Sequence, residues 1–452
     1  MSAPGAATPG AVPFQEALRF WWKLGWVSFG GPAGQIALMH HELVERRRWI
    51  SERRFLHALN YCMLLPGPEA QQLATYLGWL MHRTRGGIAA GALFVLPSLL
   101  VLIALSALYM AFGRQPLVAA LFYGIKPAVA AIVLHAMHRL ASRSLGHPRR
   151  QPWPWVLAVC SFLALAVLHL PFPAVVLSAL VVGAVLARRA PHALNLTGPH
   201  APKAHPGQPA LIDDDTPTPA HARHSRTRLL RVLGAGALLW LLPMGALLLA
   251  QGVGGTLMQM AGFFTRAALL TFGGAYAVLP YVQQAAVGHY GWLSTGQMMD
   301  GLALGETTPG PLIMVVAFVG FVGGWLRQVL GPDALFLGGA LAACVATWFT
   351  FLPSFIFILA GGPWVESTRG QLKLAVPLAA VSCAVVGVIA NLGLWFLATV
   401  AWPRGVIHPP DLLALALTAA CGWALWRWQW SVVRVIGVAA LAGLLLSALG
   451  LA

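Results

Sequence analysis

The chain has 452 residues, of which 58% are hydrophobic and only 9% charged, with a mean hydropathy of +0.73. A soluble globular chain carries about 25% charged residues, so a water-soluble fold is excluded and the chain reads as an all-α polytopic membrane protein. The net charge of +16 lies in short loops between apolar segments. That distribution sets membrane orientation and does not point to nucleic-acid binding.

In chain order, residues 1–13 form a tail without the basic start of a secretory signal. A first membrane half is expected over 14–187 and a Pro-, His- and Arg-rich stretch over 188–231, read as a flexible basic cytoplasmic linker. A second half is expected over 232–400, followed by C-terminal membrane helices over 401–452. Five cysteines (Cys62, Cys160, Cys344, Cys383 and Cys421) are scattered through apolar segments without a CxxC pair. No metal or other cofactor is expected.

The halves repeat one another. Phe20 to Gly31 (FWWKLGWVSFGG) aligns with Phe263 to Gly274 (FFTRAALLTFGG), Trp49-Ile50-Ser51 with Trp292-Leu293-Ser294, and Pro66-Gly67-Pro68 with Pro309-Gly310-Pro311. One offset of 243 positions covers all three, and Leu96-Pro97-Ser98 matches Leu352-Pro353-Ser354 after a short insertion. The loop from His40 to Arg54 carries five arginines, whereas its counterpart, Ala285 to Gln297, has no Lys or Arg. By the positive-inside rule the two loops lie on opposite sides, which predicts inverted repeats. With the GG and PGP segments as broken or re-entrant helices, complete crossings are expected near 88–112, 117–138, 153–170, 174–187, 229–250, 334–360, 374–400, 412–426 and 433–450. Trp153, Trp155, Trp423, Trp426, Trp428 and Trp430 are expected at the membrane interfaces.

The candidate site follows from the breakers. Proline removes a backbone donor and glycine permits conformations closed to other residues. Broken backbone at membrane depth is tolerated only where protein buries it or water lines it. A half-helix starting there offers free N–H groups and about +0.5 charge to an anion, and Pro68 and Pro311 suit its first position. The expected substrate-binding residues are therefore Ser28, Phe29, Gly30, Gly31, Pro66, Gly67 and Pro68 in the first half. In the second half they are Thr271, Phe272, Gly273, Gly274, Thr307, Thr308, Pro309, Gly310 and Pro311. Lys23 and Arg266, seven residues before the first Gly of each GG, are the paired cations that would hold a small oxyanion. Snorkelling to the headgroups is their alternative role. Lys126, in mid-segment, is a pathway or ion-pair candidate. Glu69, Gln72, Asp300 and Glu306 are candidates for coupling or pathway work, with dipole complementation in a first turn as the other reading of Glu69.

The segments FGGPAGQIALMHHELVERRRWISERRF, LLPGPEAQQLATYLGW and DGLALGETTPGPLIMVVAFVGF resemble the chromate ion transporter family in its long, two-repeat form, over about Phe14 to Leu397. The resemblance implies a bacterial inner-membrane transporter, not an enzyme, that exports chromate and confers chromate resistance. It also implies that the GG and PGP positions line the pathway. Sulfate or another oxyanion is the alternative substrate, and an anion channel the alternative mechanism. The partners expected are the oxyanion and the lipid bilayer, with no nucleic acid and a homodimer left open.

Overall fold

The computed structural model describes residues 12–29, 31–113, 115–149, 151–189, 210–214, 216–217, 219–272, 274–367, 375–405 and 407–451. Phe14–Val27 (α1) stops at Ser28, and Gly31–His40 (α2) leads into a π-helical turn, His41–Arg46. Glu52–Leu64 (α3) and Glu69–Phe112 (α4) flank the first PGP, followed by Pro116–Ser144 (α5), Pro152–Ala166 (α6) and Phe172–Arg189 (α7). Arg226–Gln251 (α8) joins the halves. The second half runs through Thr256–Leu270 (α9), Ala275–Gln283 (α10), a second π-helical turn Gln284–His289 and Thr295–Thr307 (α11). It continues with Val315–Leu326 (α12), Leu335–Ser367 (α13), Ala375–Ala401 (α14), Leu412–Arg427 (α15) and Val432–Ala448 (α16).

The repeat is kept down to single hydrogen bonds. Both π-helical turns are closed in the same way, Arg47 N to Glu42 O and Tyr290 N to Ala285 O. They are followed by Trp49 N to Leu43 O and Trp292 N to Ala286 O. The helices after the turns start on equivalent serines. Ser51 Oγ accepts from Arg54 N at 3.3 Å and Ser294 Oγ from Gln297 N at 3.2 Å, and the Gln297 side chain accepts in return from Ser294 N. Such reciprocal capping satisfies two donors that the first turn leaves free.

Helix α4 folds back on itself at His82 and Arg83, where Arg83 takes φ 59°. Residues 69–81 therefore run antiparallel to 84–112. Small residues make the close approach feasible: a Cβ on Gly78 would sit 2.5 Å from Gly86 O, and one on Gly87 would sit 3.0 Å from Thr75 O. The second half builds the same hairpin from α12 and α13, with Gly320 against Ala342 O and Gly324 against Gly338 O. Each PGP therefore ends a helix that enters the fold and begins one that returns.

Six helices among the described residues are long and apolar enough to cross a membrane: α4, α5, α7, α8, α13 and α14. Shorter apolar helices (α6, α15 and α16) fill the other three expected crossings. Trp153, Trp155, Trp423, Trp426 and Trp428 are exposed, as interfacial anchors require. Helix α5 carries α15 and α16 against it, and α14 carries α6 and α7. Thus α15 and α16 are the second-half counterparts of α6 and α7, exchanged between halves, and not a separate C-terminal appendage. With the shorter apolar helices counted as expected crossings, each half would hold four, an even number that returns the chain to its starting side. Helix α8 has no counterpart and packs loosely, with 11% of its apolar window buried. As a single extra crossing, α8 is expected to turn the second repeat over. A cysteine at His289 is expected to react with an impermeant maleimide from the side opposite to a cysteine at Arg53; reaction from one side would refute the inversion.

The stretch expected as a flexible linker is partly built into the fold. Ile212 pairs with Ile50 as an isolated parallel bridge, Ser51 N donates to Ile212 O, and Ser51 Oγ donates to Asp214 at 2.7 Å. Ala222 is fully buried, and His221 bonds Trp79 O at 3.0 Å. Apolar Ile212 and Ala222, spaced without helical or strand period, anchor this segment beneath the first half.

Candidate functional site

Each PGP is held by the opposite repeat. Gly67 N donates to Thr271 O, and Gly310 N donates to Ser28 O, both at 2.8 Å. The carbonyls belong to the residues that end α9 and α1 just before each GG. The Leu-Pro-Ser segments inside α4 and α13 complete the exchange. Ser354 lies against Gly67, and a Cβ on Gly310 would lie 2.7 Å from Ser98 Cβ and 3.1 Å from Ser98 Oγ. Four broken segments therefore meet at one crossing, related by the offset that relates the repeats.

Backbone conformation explains the glycines there. Gly67 takes φ 122° and Gly310 φ 102°, the left-handed region that side chains avoid. Gly31 and Gly274 also take positive φ; Gly30 and Gly273 lie outside the described residues. Pro68 and Pro311 cap the helices that follow from the N-cap position, one residue earlier than expected. Pro66 O accepts from Gln72 Nε2 at 2.7 Å, and Pro309 is buried.

The hydroxyls near the breaks serve the helices. Ser28 donates to Leu24 O at 2.7 Å and Thr271 to Ala267 O at 2.5 Å. Thr307 donates to Ala303 O at 3.1 Å and Thr308 to Gly305 O at 3.1 Å. They close helix ends and keep only acceptor lone pairs toward the crossing. Phe29 is exposed and Phe272 half-buried. Glu69 opens the returning arm of α4, with one carboxylate oxygen 3.9 Å from where a Gly274 Cβ would stand. Glu306 is buried and accepts from Tyr276 Oη at 2.7 Å.

Lys23 and Arg266 are not brought to the crossing. On α1 the packed face is Ala17, Phe20, Trp21 and Leu24, and Lys23 lies on the exposed face with Arg19, Trp22 and Trp26. Arg266 is likewise exposed, with its guanidinium on Gly262 O and Tyr290 Oη. Lys126 is found 3.8 Å from Asp300 Oδ1, whose other oxygen accepts from Tyr109 Oη at 2.8 Å. This group sits apart from the crossing, on α5, α11 and the far end of α4.

Gln35, Ser98, Arg139 and Arg143, to which the breakers did not point, join Gln71 and Gln72 at the site. Gln35 Nε2 donates to Gly310 O, and Gln71 Nε2 to Thr75 Oγ1 at 3.0 Å. Gln35 Oε1, Gln71 Oε1, Gln72 Oε1 and Ser98 Oγ are buried without a hydrogen-bond partner among the described residues. Polar atoms so placed are costly unless a ligand or water reaches them. Arg143 is near enough to act electrostatically on Glu69, and Arg139 on Tyr276. Both arginines lie exposed on the last turns of α5. Their spacing of four from His135 was the available signal.

Comparison with known proteins agrees with this two-part layout. The family described as chromate transporter matches residues 15–184 and 258–444, two regions that leave out α8. The second region reaches into α16, beyond Leu397, where the expected resemblance ends. A chromate transport protein of Pseudomonas aeruginosa is 33% identical over 97% of this chain and 93% of its own length. A probable chromate transport protein of Synechococcus elongatus is 27% identical, covering 96% of each chain. A chromate transport protein of Cupriavidus metallidurans is 27% identical over 93% of this chain and 90% of its own. No solved structure matches the chain.

Proposed function

This chain belongs to the chromate transporter family, and on that premise we propose that it exports chromate across the bacterial inner membrane by secondary active transport, conferring chromate resistance. The observation that carries the reading is the reciprocal crossing, where the PGP of each inverted repeat hangs on the carbonyl before the other's GG. A rocking motion of one repeat against the other must pass through those two bonds. The site they frame therefore faces one side or the other, as alternating access requires.

The chemistry suits a small oxyanion. The first-turn N–H groups of α2, α4 and α10 begin at the crossing, and a helix N-terminus favours an anion. Arg139 and Arg143 supply full positive charge from the cytoplasmic side, replacing Lys23 and Arg266 as the cations of choice. Glu69, beside Gly274, repels a bound anion while ionised, so protonation of this carboxyl couples proton and anion occupancy. Energetics favour the outward direction. Moving one charge across 100 mV is worth about 2.3 kcal/mol, so a dianion leaving a negative-inside cell gains about 4.6 kcal/mol, a concentration ratio on the order of a thousand.

Inside-out membrane vesicles carrying the protein are expected to accumulate chromate saturably when energised and to lose the accumulation when the membrane potential is collapsed. Competition by excess sulfate ranks the two tetrahedral dianions. Uptake equal to that of empty vesicles would remove chromate export. Flux that rises without saturation and ignores energisation would replace the carrier by a channel.

A further inference from the structure

A cavity of about 560 Å³ opens beneath the connection between α14 and α15, away from the crossing. Its polar lining is Tyr123 and Lys126 of α5, Thr399 of α14, and Arg404, His408 and Asp411 of the connection. The acids near it are already engaged. Asp411 accepts from Tyr123 Oη at 3.0 and 2.9 Å and from Ala414 N at 2.9 Å, capping α15. Asp300, behind Lys126, takes its hydrogen bond from Tyr109. Its other oxygen stands 3.8 Å from Lys126 Nζ, a distance of charge attraction and not of hydrogen bonding. Lys126 is therefore the charge partner of Asp300 while its ammonium hydrogens stand beyond hydrogen-bond distance of that carboxylate. Arg404 and His408 have no carboxylate partner among the described residues.

We infer that this cavity is a second oxyanion site, floored by Lys126 and rimmed by Arg404 and His408. Its ligand class rests on the transport reading above; its existence rests on the cavity, on Arg404 and His408 without a carboxylate partner among the described residues, and on Lys126 held by Asp300 only at 3.8 Å. A tetrahedral dianion accepts from the ammonium below and the guanidinium above, and charge-assisted bonds of this kind are the strong ones. Occupancy also draws Lys126 from Asp300. The site thus loosens the tie between α5 of one repeat and α11 of the other at the moment an anion reaches the face opposite the basic loop.

The test reads binding and not transport. Protein with Pro409→Cys in lipid nanodiscs is labelled with an uncharged maleimide, over the background of the parent's exposed Cys160 and Cys344. Sulfate is the probe, and ionic strength is held constant with chloride so that screening does not change. Sulfate is expected to slow labelling saturably. Arg404→Gln is expected to raise the half-protecting concentration by about fivefold, the upper range for a partly exposed charge pair. His408→Gln, placed on the same rim, is expected to shift it in the same direction and stands in should Arg404→Gln fail to fold. Equal labelling in sulfate and chloride overturns the site, as does protection that neither substitution changes. Failed chromate uptake by vesicles with sulfate protection intact would refute export and leave this site standing. Saturable uptake without protection would do the reverse.

Discussion

Alanine at Gly310 is expected to reduce chromate accumulation by at least about tenfold, since misplacing a site by an ångström costs up to about a hundredfold. Two costs combine there. The residue holds φ 102°, and forcing a side chain into that region costs about 1–3 kcal/mol. The added methyl would also stand 2.7 Å from Ser98 Cβ, and overpacking of this kind costs about 1–3 kcal/mol. Relief comes only by withdrawing Gly310 N from Ser28 O, which parts the crossing. Gly67→Ala should behave alike, because its methyl would stand 2.7 Å from Gln72 Nε2 and also meet Ser354. The control is Gly331→Ala, which has φ 91° but open space around it, so it carries the conformational cost alone. Thermal unfolding and vesicle uptake on the three variants decide the matter. If Gly310→Ala matches Gly331→Ala in both, the crossing has no special constraint.

The breaks themselves were legible in the sequence because glycine and proline mark them twice at one offset. Their equivalence was legible too, but not their partners. An offset says that Gly67 corresponds to Gly310; only the folded chain says that Gly67 bonds Thr271 and Gly310 bonds Ser28. Lys23 and Arg266 illustrate the limit. Matched position suggested a matched role, yet the side a cation takes is decided by which helix face packs, and Phe20, Trp21 and Leu24 claim that face on α1. Arg139 and Arg143 follow the apolar core of α5, where a base reads as a topology signal, although a spacing of four puts them on one stripe. Helices α15 and α16 carry no breaker motif, so their equivalence to α6 and α7 emerges only from what they pack against. Within the stretch read as linker, the apolar run Ala210-Leu211-Ile212 and the buried Ala222 are too short for periodicity to detect.

Removing Arg54 is expected to cost about 3–5 kcal/mol, the penalty for leaving one member of a buried ion pair alone. Its guanidinium reaches Glu366 at 2.7 Å, with side-chain exposures of only 5% and 2%. The same guanidinium donates to Thr216 O at 2.7 Å and to Asp213 O at 3.3 Å. In Arg54→Ala the Glu366 carboxylate keeps one donor among the described residues, Tyr76 Oη, and two linker carbonyls lose theirs. The pair does more than satisfy charges. Arg54 stands on α3 of the first repeat and Glu366 at the end of α13 of the second, so it ties the halves on the side of the basic loop. The tie of Asp300 to Tyr109 and Lys126 joins α11 to α4 and α5 at the opposite side. Two ties across the repeat boundary, one at each end of a shared crossing, are the arrangement a two-sided gate needs. A double variant, Arg54→Met with Glu366→Met, separates stability from gating, because apolar replacement of a whole buried pair is often neutral or stabilising. It should unfold above Arg54→Ala, because no unpaired buried charge remains, and below the parent, because Thr216 O, Asp213 O and Tyr76 Oη lose their partners, while transporting chromate with altered rate. Arg54→Ala should unfold well below both. If Arg54→Ala unfolds with the parent, Glu366 is not held by this partner and the tie carries no load.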